Sequence, residues 1–333
     1  MIGWGDVYRV AAAMAPLYFA LGLGYGSVRW WKLFTADHCD AVNRLVVYFA
    51  FPLYGFDFTA RAGSFAAGYR VLAADVLAKL AVVLALSGWA AARRGEASSY
   101  SWCITGFSLA ALNNGLLVGV PLLDAMYGKW ARDIMVQLSV LQGVVWFPLI
   151  LVVFEARQAW LEVTSDSESP EIAREQDDQE APGSDDVDRP AVAGDGRKTA
   201  ATGWHLKMPS IIDGSISIIS KTGIGMGMFS MGMFIGLQDK FIVCGFGLTL
   251  LSLVLRFIMA PAVTIVGALI LGLRGDLLRV TILQAALPQS VATFVFSREY
   301  NLHAGVLSTA VIVSTLASLP VLTAYYLVLG LVI

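Results

Sequence analysis

An all-α polytopic membrane protein is the fold class this sequence predicts, and three observations carry it. Hydrophobic residues fill 57% of the 333 positions and charged residues only 14%, against about 25% charged in an ordinary soluble chain. So much apolar surface cannot be hidden in a water-soluble core, because the outside of such a protein must be covered by polar groups. The apolar residues also come in runs of about 20, the length that crosses roughly 30 Å of hydrocarbon as helix. Finally, helix breakers interrupt two of these runs at matching places, and backbone in lipid tolerates that only beside a cavity or buried in protein.

Taken in order, the first run is Ala11–Val28. It is followed by Arg29-Trp30-Trp31-Lys32, an interfacial anchor, with no small-residue cleavage site, so it reads as a retained helix and not a signal peptide. Four more spans follow in the first half: Ala41–Thr59, Val71–Ala92, Trp102–Met126 and Ile134–Phe154. Then the composition breaks. Glu162 to Asp188 holds eleven acids and one base, interspersed with Pro, Gly and Ser. Such a stretch buries too little apolar surface to offset its ordering entropy, and it is expected to be a disordered acidic loop. The rest of the chain is then basic overall. Four spans complete the second half: Ile211–Gly236, Phe241–Leu273, Leu278–Phe296 and Val306–Val332. Phe241–Leu273 is too short for two crossings and is read as one long tilted helix, bent near Pro261.

The expected organisation is a first five-helix unit at 1–155, a hydrophilic acidic loop at 156–207, and a second unit at 208–333. Flanking charges give a weak orientation signal. Arg29, Lys32, Arg93 and Arg94 lie on one side, and Arg61, Arg70, Lys129 and Arg132 on the other. Cys39, Cys103 and Cys244 form neither a disulfide framework nor a metal spacing, and His38, His205 and His303 read as polar residues at helix ends. No metal site, cofactor, nucleic-acid surface, ATP motif or catalytic constellation is expected; the chain does not read as an enzyme.

The interrupted spans hold the candidate site. Ala110-Ala111-Leu112-Asn113-Asn114-Gly115 in one half matches Ala285-Ala286-Leu287-Pro288-Gln289-Ser290 in the other. Paired interruptions in corresponding spans are the best sequence pointer to a transporter binding site. Broken helices present N-terminal N–H groups to an anion, and Asn113, Asn114 and Gln289 add neutral donors and acceptors. A carboxylate could be held there without a fixed cation. The competing reading makes the Asn pair helix–helix glue and Pro288 a kink. Asp75 and Lys79 share a helix face at i and i+4 inside a span, where each neutralises the other. They read either as a polar support beneath the interruptions or as a structural ion pair. Gln142 is a further intramembrane polar residue expected to line the pocket. Lys221 and Arg256 are expected to snorkel to an interface.

A longer set of motifs resembles the PIN-FORMED auxin efflux carriers. In the first half these are Met14-Ala15-Pro16-Leu17-Tyr18, Tyr25-Gly26-Ser27, Trp30-Trp31-Lys32, Asn43-Arg44, Leu72-Ala73-Ala74-Asp75 and Val118-Gly119-Val120-Pro121. In the second they are Met208-Pro209-Ser210-Ile211-Ile212, Ser215-Ile216-Ser217, Gly225-Met226-Gly227-Met228-Phe229-Ser230, Ala285 to Gln289, Phe294-Val295-Phe296, Glu299-Tyr300-Asn301 and Tyr325-Tyr326. The likeness covers nearly all of 1–160 and 207–333, and the short loop resembles the short-loop members of that family.

The resemblance implies a fold of ten helices in two inverted five-helix repeats, with the fourth and ninth helices broken and crossing. It implies Asn114 as carboxylate binder, Pro288 and Gln289 at the second crossover, Val291 as pocket wall, Gln142 as pocket residue, Asp75 and Lys79 as support pair, and Phe51 and Gly55 at second-helix pocket positions. Phe51, Leu117, Val291 and Asn113 would complete the substrate's surroundings. The chain departs from the pattern at Asn113 and Thr293, where prolines stand in relatives, at Gly55 for a polar residue and at Lys221 for an acid. It also lacks an apolar span before Met208, so nine spans are read where the family has ten. Without that crossing the last four helices are expected to insert inverted, or to drag Arg197–Lys207 through the bilayer.

The implied function is carriage of indole-3-acetate, or a related aromatic carboxylate, out of the cytosol by alternating access. The endoplasmic reticulum membrane is the expected site and the plasma membrane the alternative, with lipid as surroundings and a homodimer left open. Two other readings stand beside it: a cation- or sodium-coupled transporter of the same architecture, which would want an unpaired acid at the crossover, and a truncated relative that does not transport.

Overall fold

The computed structural model describes residues 4–50, 53, 56–57, 68–93, 97–167 and 210–332. Among them there is no β-strand, and the elements are helices: α1 (Trp4–Arg29), α2 (Ala36–Leu45), α3 (Tyr69–Ala92), α4 (Ala97–Ala111), α5 (Val120–Tyr127), α6 (Lys129–Leu141), α7 (Phe147–Ser167), α8 (Ser210–Leu237), α9 (Phe246–Val254), α10 (Ala260–Ile270), α11 (Gly275–Ala285), α12 (Val291–Glu299) and α13 (Ala304–Val332). Six stretches are long and apolar enough to cross a bilayer: Val10–Arg29, Tyr69–Ala92, Lys129–Leu161, Gly214–Leu237, Phe246–Ile270 and Ala304–Leu331. Two further expected spans are the broken pairs α4–α5 and α11–α12, and the ninth, Ala41–Thr59, is only partly within the described residues. The chain is a multi-pass α-helical membrane protein.

Among the described residues, four turns of π-helix interrupt the helices, at Val46–Ala50, Gly115–Gly119, Gln142–Trp146 and Leu255–Met259. Each is followed two residues later by a proline: Pro52, Pro121, Pro148 and Pro261. Proline has no N–H and its ring collides with the carbonyl four residues back. Widening the preceding turn relieves that collision without ending the helix. At Pro261 the carbonyl left over is that of Phe257, and the Tyr325 hydroxyl donates to it at 2.5 Å. The expected bend near Pro261 is therefore a π turn, and the helix it interrupts runs over 246–270, shorter than the 241–273 read from hydropathy. α7 continues to Ser167, past position 156, where the acidic loop is expected to begin. The remainder of the expected loop, 168–207, lies outside the described residues.

Contacts sort the helix ends onto two faces. On the first, Asp40 at the start of α2 pairs with Arg298 at the end of α12, and Tyr300 donates to Glu155 of α7. Ser101 near the start of α4 accepts from Arg157. On the opposite face, Tyr127 at the end of α5 meets Tyr326 of α13. Along α8, Ser230 bonds Asn43 while Ser220 bonds Asp57, so α8 runs antiparallel to the second span and parallel to α1. The last four spans thus stand in the orientation that opposes the two crossovers. Of the two expected alternatives, inverted insertion does not match this packing, in which α8 runs parallel to α1 and the two breaks meet; the other, passage of 197–207 through the bilayer, lies outside the described residues.

Glycines make that packing possible. A Cβ on Gly24 would overlap the Phe229 carbonyl oxygen, and one on Gly232 would overlap that of Leu21. Lipid gives no hydrophobic drive for helices to pair, so close van der Waals contact through small residues must supply it. Gly232→Val is expected to separate α1 from α8 and destabilise the protein by about 1–3 kcal/mol or more. Gly22→Ala on α1, with nothing within 4 Å of the new carbon, should be neutral. Thermal unfolding of the purified proteins in detergent checks both, and equal melting temperatures would refute the packing argument.

His303, in the turn between α12 and α13, stacks on Trp102 with ring centroids 4.1 Å apart and bonds the Thr105 hydroxyl at 2.8 Å. Burial, with a smaller contribution from the Arg157 guanidinium, holds its imidazole below the ordinary value. The folded protein therefore prefers neutral His303. The stability this gives is complete above the unfolded value, about 6.5, and is lost as the pH falls through the lower folded value. A melting temperature that falls between pH 7.5 and 5.5, and falls less in His303→Gln, is the expected result.

Candidate functional site at the helix crossover

Both interruptions lie in the protein interior, where α4 stops at Ala111 and α11 at Ala285. The short extended pieces that follow pair with each other. Asn114 N donates to Pro288 O at 2.8 Å and Ser290 N to Leu112 O at 3.2 Å, making an antiparallel bridge between Asn113 and Gln289. The breaks therefore satisfy each other's backbone groups, which is what allows irregular chain at this depth. Beyond them helix resumes with its N-terminal end at the crossing: the π turn Gly115–Gly119 leading into α5, and α12 from Val291. Their first N–H groups have no carbonyl one turn back, so both present donors and the positive dipole end to the crossing.

Side chains brace this arrangement. Gln142 uses its whole amide on the Asn113 peptide: Asn113 N donates to its Oε1 at 3.2 Å, and its Nε2 donates to Asn113 O at 2.8 Å. Asn113 Nδ2 donates to the carbonyl and side-chain oxygen of Gln284 at 2.9 and 3.2 Å. Gln284 Nε2 passes the chain on to Asp75 Oδ1 at 3.3 Å, and Asp75 Oδ2 meets Lys79 Nζ at 2.7 Å. Lys79 also stands 5.4 Å over the Trp146 ring. Gln289 is held from both ends: its N–H donates to Ser314 Oγ, and its Nε2 donates to Ser108 O at 2.7 Å and Thr293 Oγ1 at 3.0 Å.

Two polar atoms at the crossing are buried without a protein partner, Asn114 Nδ2 and Gln289 Oε1. An unsatisfied buried donor costs about 1–3 kcal/mol, so Asn114 is kept at a price in stability. Leu117 is buried in the main core, and Val291 packs against that core half-exposed. Phe51 and Gly55 lie outside the described residues, as does the side chain of Lys221. A cavity beside the crossing is walled by Asp75, Lys79, Asn113, Arg256, Thr264 and Gln284. Among the described residues no group of His, Cys, Asp and Glu could hold a metal ion.

The sequence reading is corrected at Arg256. It does not snorkel to an interface; only 2% of it is exposed, and its guanidinium donates from Nε to Leu287 O at 2.5 Å and from Nη1 to Ala110 O at 3.1 Å. Nothing in the sequence reading points to Gln284, Ser108 or Ser314, and Thr293 enters it only as a departure from the family pattern. The available signal for Arg256 was its depth in a 33-residue apolar run, too far from either end for its side chain to reach water. Gln284 could have been noticed as the polar neighbour of the second hexad.

Comparison with known proteins gives a family model described as "Membrane transport protein", which matches residues 9–192 and 200–326. "Probable auxin efflux carrier component 5b" from Oryza sativa subsp. japonica is 56% identical, with 99% of each chain covered. "Auxin efflux carrier component 5" from Arabidopsis thaliana is 47% identical over 98% of each. "Auxin efflux carrier component 8" from Arabidopsis thaliana is 35% identical, over 99% of this chain and all of the other. The rice alignment runs over 384 positions against 333 residues here, so that relative carries residues with no counterpart in this chain.

Proposed function

The chain belongs to the PIN-FORMED family of auxin efflux carriers, and on that premise we propose that it carries indole-3-acetate across the membrane at the helix crossover. It is a transporter and not an enzyme. The observation that carries the site is Asn114: its amide Nδ2 is buried, has no protein acceptor and lies between two helix N-termini. A carboxylate placed there would accept from the Asn114 amide and from first-turn N–H groups, while Leu117 and Val291 offer apolar walls for an indole ring. Gln142, Asn113, Gln289, Asp75 and Lys79 then act behind the substrate by holding the crossing in shape. Pro288 contributes a carbonyl to the bridge and no N–H that would need a partner. Phe51 and Gly55 belong to the proposal through the family resemblance alone.

Access alternates as one group of helices moves against another around the crossing. The substrate is an anion, and the membrane potential supplies about 2.3 kcal/mol per charge per 100 mV, enough to drive export from the cytosol with the substrate gradient. The short loop supports placement in the endoplasmic reticulum membrane, with the lumen as destination. A sodium- or cation-coupled mechanism is disfavoured because the crossing offers amides, and the acid beside it among the described residues, Asp75, is already paired.

Purified protein in liposomes, given labelled indole-3-acetate, should show saturable uptake that does not require sodium and rises with a potential driving anions inward. Sodium-dependent uptake would select the coupled reading. Absence of both binding and uptake in well-folded protein would select the non-transporting one.

A further inference from the structure

We propose that Arg256 is a positioning residue that clamps the two broken helices together, so that the crossover moves as one body. The clamp's role in substrate binding rests on the transporter reading above; its effect on the two breaks does not. Arg256 is 2% exposed and belongs to neither broken helix; it sits on the π turn Leu255–Met259 between α9 and α10. From there one guanidinium reaches both breaks, through Nε to the carbonyl of Leu287 and Nη1 to that of Ala110. These carbonyls lie at the C-terminal ends of α11 and α4, where intrahelical donors run out and the dipole is negative. A cation there stabilises both ends at once.

The π turn is what aims the side chain. Pro261 forces the wide turn, and the Tyr325 hydroxyl fixes it through Phe257 O. The planar fork of arginine can serve two acceptors in fixed directions, which a lysine ammonium does less well. The neighbouring ammonium of Lys79 is taken up by Asp75 at 2.7 Å and does not substitute for it. Because Ala110 is four residues before Asn114 and Leu287 four before Val291, slack at these carbonyls shifts both helix N-termini that would face the carboxylate.

The test compares wild type with Arg256→Lys, Arg256→Gln and Arg256→Met, each checked for monodispersity in detergent. Amide hydrogen exchange is read by mass spectrometry, without ligand, over segments 110–118 and 285–293. The clamp predicts that both segments lose protection together in Arg256→Met, with Arg256→Lys intermediate. Loss in one segment only, or in neither, overturns it. If Arg256→Met is recovered only as aggregate, Arg256→Lys against Arg256→Gln makes the same comparison, the charge being kept in one and removed in the other. In a second arm, the Kd for labelled indole-3-acetate should rise about tenfold or more in Arg256→Met and be partly restored in Arg256→Lys, as expected where charge-assisted bonds are lost and in part regained. Unchanged affinity in a folded Arg256→Met also overturns the clamp. Wild type that fails to bind auxin would instead defeat the proposed substrate, and the exchange arm would still decide the clamp.

Discussion

Asn114→Ala should abolish auxin transport while leaving folding intact or slightly improved. In the structure the Asn114 side-chain nitrogen has no protein acceptor and is shielded from water, so deleting it removes no internal hydrogen bond. The backbone bond from Asn114 N to Pro288 O, 2.8 Å, does not depend on the side chain. On the proposed reading, what is lost is a donor to the carboxylate, worth about 1–3 kcal/mol of affinity, or roughly fivefold to more than a hundredfold. A direct binding measurement on purified protein, with melting temperature as control, separates the two effects. Unchanged affinity in Asn114→Ala would remove the crossover from the substrate's path. Gln142→Ala makes a useful contrast, because both its polar atoms hold the Asn113 peptide. That variant should lose stability and affinity together.

The second large effect is expected at Asp75 and Lys79, which should behave as a unit. Each is 4% exposed, and their charged atoms are 2.7 Å apart. Asp75→Asn leaves Lys79 and Arg256 as two buried cations with no anion beside them. Lys79→Met leaves Asp75 with only the amide of Gln284 as a local hydrogen-bond donor, at 3.3 Å. Breaking a buried pair by removing one partner costs about 3–5 kcal/mol where the remaining charge is uncompensated in low dielectric; Asp75→Asn meets that condition in full, while in Lys79→Met the Arg256 guanidinium lining the same cavity still faces Asp75 and the loss is smaller. Removing both restores the balance, so the double variant should be no worse than the worse single variant in stability and in uptake. Four melting curves and four uptake assays complete the cycle. Additive losses would mean that the two residues act independently and that the network from Asn113 through Gln284 does not end on a coupled pair.

The sequence by itself determined the class of the protein and the places where its helices break. Runs of about twenty apolar residues leave lipid as the only solvent, and the hexads at 110–115 and 285–290 mark where helices must stop, because Pro288 and the polar pair Asn113-Asn114 have no place in lipid-facing helix. Spacing also paired Asp75 with Lys79, since i and i+4 share a face whatever the tertiary fold.

Tertiary structure decided how these parts are used. The depth of Arg256 in its apolar run marks it as buried, but hydropathy could not name its partners, because they are backbone carbonyls 146 and 31 residues away in the chain. Nor could it assign Gln142 to the Asn113 peptide, or leave Asn114 as the amide without a partner; those depend on which backbone groups the crossing itself consumes. The direction of α8 against α1 was likewise invisible in a count of spans, which leaves either inversion or a dragged flank when one apolar span is missing. Backbone contact at Gly24 and Gly232 fixes that direction, because close packing is a property of two helix surfaces together and no single apolar run records it.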